Sequence, residues 1–90
     1  MTISKTELNG LINELIKCFS GEDRLFPLWF INTMQHNFSV LVSAARSDKP
    51  AAADPINIED VAFFEYDQVK NLNFTFKEAK IINYFIKEEK

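Results

Sequence analysis

The chain has 90 residues, 47% apolar and 26% charged, with a net charge of −3. That length makes one domain, the apolar content sets it apart from disordered chains, and the charge is too mild for a basic nucleic-acid binder or a dense acidic decoy. Cys18 is the only cysteine, the N-terminus lacks a basic segment followed by an apolar run, and no apolar stretch nears the ~18 residues that span a bilayer, so a soluble cytoplasmic protein is expected.

The first predicted element covers residues 5–19. Ser4 can cap it, Glu7 three residues later completes a capping box, and Ile3 and Leu8 flank the cap as a hydrophobic staple. Leu8, Leu11, Ile12, Leu15, Ile16 and Phe19 then form one stripe. Gly10 falls on the opposite, wet face and costs about 1 kcal/mol relative to Ala. Ser20 and Gly21 supply a stop, because Gly accepts the left-handed conformation common at helix ends.

After a short connector, Pro27 suits the first turn of a long helix over residues 27–46, with Phe26 as a weak cap. Phe30, Ile31, Met34, Phe38, Leu41, Val42 and Ala45 recur at three- and four-residue spacing and share one face. Trp29, Val40 and Ala44 lie nearly opposite, with Thr33 and His36 among them. A helix apolar on two sides calls for neighbours on both, so this element is the expected spine of the domain.

Residues 47–57 carry Pro50 and Pro55 and form a long irregular loop within the single domain expected over 1–90. A third helix over 58–70 is expected from the staple pair Ile56 and Val61, with Asn57 as cap and Asp60 at the third position. Ile58, Val61, Ala62, Phe64, Tyr66 and Val69 would point inward. Glu65 falls inside that sector and Phe63 outside it, which makes this the least tidy element. Residues 71–74 read as a turn. Thr75, with Glu78 three residues on and Phe74 before it, starts a last helix over 76–88 whose inward side is Ala79, Ile81, Ile82, Phe85 and Ile86.

The expected fold is therefore all-α, a small four-helix bundle-like domain around a central long helix. The alternative is α+β with two β-hairpins, one pairing 28–33 with 38–43 around Gln35, His36 and Asn37, the other pairing 61–66 with 72–76. Seven apolar positions on one helical face favour the helix, and the first hairpin would leave Leu41 on the wrong side.

Candidate chemistry is sparse. One His and one Cys cannot build a zinc site, no carboxylate spacing resembles a calcium loop, and the two glycines form no phosphate-cradling motif, so no metal and no cofactor is expected. Cys18 and His36 are the only nucleophile–base pair available; Cys18 edges an apolar stripe, and no enzyme is expected. The expected function is docking on another protein, or homodimerisation, as inhibitors, immunity proteins, adaptors and phage or plasmid accessory proteins do. Trp29 would anchor that contact, with Thr33, His36 and Val40 around it and Phe26 and Phe63 extending the patch. Glu59, Asp60 and Asp67 would steer a basic partner. The alternative is a helix-turn-helix-like nucleic-acid-binding regulator that uses a basic face of Lys77, Lys80, Tyr84 and Lys87. Against it, no Arg sits on that helix to read guanine edges, and Glu78, Glu88 and Glu89 offset its charge.

Overall fold

The computed structural model describes residues 2–20, 26–47 and 55–87. The expected glycine stop at Gly21, most of the connector and Pro50 lie outside them.

Local signals set the start of the chain. Glu7 donates its backbone N–H to the Ser4 hydroxyl at 3.2 Å, and helix α1 runs Lys5–Ser20. Leu8, Leu11 and Leu15 on it are buried; Ile16, expected inward, is exposed, and the side chain of Phe19 lies outside the described residues. Helix α2, Leu28–Ala45, is one continuous element, so the hairpin around Gln35–Asn37 does not form. Pro27 occupies its N-cap in extended conformation and accepts from the N–H groups of Phe30 and Ile31. Phe26 is thus not the cap. It belongs to a ring cluster around Phe30, which lies 4.8 Å from Phe26, 5.5 Å from Phe74 and 5.0 Å from Phe64, the last pair stacked. Lys5 donates to the Ser47 carbonyl at 3.2 Å, a cation at the negative end of α2.

Ahead of α1, strand β1 (Thr2–Ile3) pairs antiparallel with β2 (Ile56–Asn57), Ile3 opposite Ile56. Both isoleucines are buried, which pins the start of the chain to the segment that begins at Pro55.

The expected helix over 58–70 is corrected by the structure. Glu59 and Asp60 make a turn, the chain stays extended through Glu65, and only Tyr66–Val69 winds into the single-turn helix α3. Asn57 does not cap a helix; it sits in β2 and donates from Nδ2 to Glu59 at 2.7 Å. The capping box lies eight residues later, at Glu65 and Gln68. Tyr66, expected inward, is exposed.

Long-range bonds explain the extended backbone. Asn37, fully buried in the middle of α2, accepts from Ala62 N–H at 2.6 Å and donates to Ala62 C=O at 2.9 Å. Phe64 donates to Phe85 O and accepts from Lys87 N–H, a parallel bridge to the end of the chain. These bonds occupy backbone groups that a helix would need for itself. Val61 and Phe64 are buried as a result.

Helix α4, Phe76–Ile82, starts as the sequence indicated. Thr75 and Glu78 form the complete capping box, side chain to backbone in both directions. It ends six residues earlier than expected, passing into a 3-10 turn over Asn83–Phe85 and then into the bridge at Ile86. The turn frees the backbone of Phe85 to accept from Phe64 and buries its ring. Residues 61–66 and 72–76 form no hairpin. The described residues are mostly helical with one small two-stranded sheet; two long helices, two short ones and an extended segment stand where a four-helix bundle was expected. No helix among them is long and apolar enough to cross a membrane.

Candidate interaction surfaces

The second face of α2 meets the extended segment. Moving back along α2, Ser43 and Val40 border Asn57 and Ile58, His36 meets Asp60, Asn37 holds Ala62, and Trp29 meets Phe64. The segment therefore runs antiparallel to the helix along that stripe. It answers the demand for a second neighbour with extended chain in place of a helix.

This arrangement gathers four of the sequence-nominated residues, His36, Val40, Glu59 and Asp60, around a shallow depression of about 380 Å³. His36 is exposed, and its Nε2 lies 3.0 Å from the Asp60 carbonyl oxygen. A carbonyl can only accept, so Nε2 carries the proton in that bond. Val40 is half-buried against the core. Glu59 and Asp60 are exposed at the rim. Thr33 spends its hydroxyl on the Trp29 carbonyl at 2.8 Å, the local back-bond of a mid-helix threonine. Asp67 stands apart on α3, in an exposed pair with Lys70 at 3.2 Å.

Trp29 is 41% exposed, and its ring sits edge-on to two buried rings, Phe30 at 6.0 Å and Phe64 at 5.8 Å. Such tilted pairs hold an aromatic side chain in one orientation beyond what area burial alone does. Phe63, on the extended segment beside Phe64, is exposed as well.

The residues of the nucleic-acid reading divide. Lys77 and Lys80 on α4 and Tyr84 in the 3-10 turn line a groove of about 530 Å³ against α1, with Glu7, Gly10, Leu11 and Glu14 on the other side. Lys87 lies beyond the helix and pairs with Glu65 at 3.0 Å. The four do not form one helical face, because the helix ends at Ile82. Two glutamates opposite two lysines would oppose a phosphate backbone along this groove.

Sequence reasoning overlooked Asn37, which was weighed only as a turn residue, and Phe76, 89% exposed at the groove rim. The second was visible as a Phe76, Lys80, Tyr84 stripe at i, i+4, i+8, off the inward face of that helix. Comparison with protein-family models, with curated proteins and with solved structures finds no match.

Proposed function

We propose that this protein is a small interaction module that docks on a basic protein partner through the surface of Trp29, His36, Val40, Glu59 and Asp60. The observation that carries the reading is the state of Trp29: half-exposed, yet gripped edge-on by Phe30 and Phe64. A large aromatic fixed before binding loses little side-chain freedom on contact, which is how interface anchors gain their energy. The neighbouring rim of Glu59 and Asp60 supplies acidic groups that would speed encounter with a positive surface. The depression beside them is too shallow and too polar to favour a buried small ligand.

The test is affinity capture from host extract, with wild type compared against Trp29→Ala and against Glu59→Lys with Asp60→Lys. A specific partner is retained by wild type and lost by Trp29→Ala, a cost of about 2 kcal/mol or more. The double charge reversal lowers the association rate, and that difference fades as salt is added. Both variants are checked for an intact far-UV spectrum and a cooperative melt. Equal capture by wild type and both folded variants would remove the assignment.

A further inference from the structure

A second surface lies between α1 and α4. Its groove is bordered on α1 by Glu7, Gly10, Leu11 and Glu14, and on the α4 side by Phe76, Lys77, Lys80 and Tyr84. A second hollow of about 510 Å³ continues past Phe76, so that side chain borders hollows on both flanks. Phe76 is the most exposed large apolar residue among those described, at 89%, and Tyr84 is half-exposed. Gly10 adds to the hollow: a Cβ built there meets nothing within 4 Å. The patch therefore carries an apolar knob and an apolar hole side by side.

Its charges are segregated. One wall holds Glu7 and Glu14, the other Lys77 and Lys80. Among the described residues none of Glu7, Lys77 and Lys80 is in an ion pair, and Glu14 has only the exposed Lys17 of its own helix, at 3.5 Å. A twofold interface must be complementary to itself: each feature on the patch needs its counterpart elsewhere on the same patch. Knob beside hole, and acidic wall beside basic wall, meet that requirement. A partner of single charge would meet repulsion from one wall or the other.

We infer that the α1–α4 groove is a self-association surface, in which a second copy of this chain, related by a twofold axis, lays Phe76 over the Gly10 hollow and sets Lys77 and Lys80 against Glu7 and Glu14. This surface shares no residue with the Trp29 face, so the fate of either proposal leaves the other standing.

The experiment is size exclusion with light scattering across micromolar to millimolar concentration, where weak specific dimers form. Wild type rises from the mass of one chain to that of two. Gly10→Leu fills the hollow with a better helix former, and Phe76→Ser removes the knob; each raises the dimer dissociation constant by about tenfold or more. Charge reversal supplies an arm that does not depend on register. A chain with Glu7→Lys and Glu14→Lys has two positive walls, and one with Lys77→Glu and Lys80→Glu has two negative walls. Each alone remains monomeric, and their mixture forms the mixed dimer. A wild-type mass fixed at one chain throughout overturns the inference. So does a dimer indifferent to Gly10→Leu and Phe76→Ser, or a mixture of the two reversed chains that fails to associate.

Discussion

Asn37 offers the sharpest test of what holds the extended segment in place. Its side chain is fully buried and satisfies both backbone groups of Ala62, at 2.6 Å and 2.9 Å. Asn37→Ala removes both bonds and leaves the partly buried Ala62 N–H and C=O without their partner. An unpaired backbone group costs about 1–3 kcal/mol when buried, so the partly buried pair amounts to at most about 2–6 kcal/mol. A domain of this size has a total stability of roughly 5–13 kcal/mol, so the variant loses a large share of it. At roughly 4–8 °C per kcal/mol, even the low end of that range drops the midpoint of thermal unfolding by about 8–16 °C. Asn37→Asp keeps the acceptor for Ala62 N–H but turns an oxygen toward the Ala62 carbonyl. When protonated, that carboxyl can donate to the carbonyl; when ionised, it repels it. Burial raises its folded-state pKa above the unfolded value, so this variant is least impaired in acid and weakens as pH rises through the folded value. Urea titration followed by Trp29 fluorescence is the assay, since Trp29 packs on Phe64 of the same segment. If Asn37→Ala stays within about 0.5 kcal/mol of wild type at an unchanged slope, the burial of Val61 and Phe64 and the backbone bonds of Phe64 hold the segment without Asn37, and the reasoning fails.

Two further stability outcomes follow from local geometry. Gly10→Ala places a methyl group into open space on an exposed helical position, so it should stabilise by about 0.5–1 kcal/mol and raise the thermal midpoint; a lower midpoint would mean that Gly10 is not in regular helix. Thr75→Ala breaks the capping box of α4 and should cost about 1 kcal/mol, with Thr75→Ser recovering most of it in the same denaturant titration. An equal loss in both would show that the threonine methyl, not the hydroxyl, matters.

Where structure rests on neighbours in sequence, the chain was readable. The Ser4 and Thr75 starts needed only a hydroxyl and a backbone N–H three residues away, and both bonds form. The long helix was readable too, since its apolar spacing fits period 3.6 and no strand pairing reproduces it. Pairing of Trp29, His36 and Val40 on one side of it followed from the same spacing.

The segment from Ile56 to Glu65 was decided elsewhere. Its sequence carried a short period-two pattern, Ile56 and Ile58 buried with Asn57 and Glu59 exposed, beside a plausible capping signature. Local propensity could not choose between them. The choice fell to Asn37, some 25 residues away, and to Phe85 and Lys87 beyond α4, which claim the backbone groups of Ala62 and Phe64. The α1–α4 groove likewise joins glutamates and lysines some 70 residues apart in the chain. Side-chain periodicity determined most of the inward residues of the long helices, Ile16 and Asn37 being the exceptions; only the closed tertiary fold decided which backbone groups pair across it, because such a bond exists only once both distant partners are already in place.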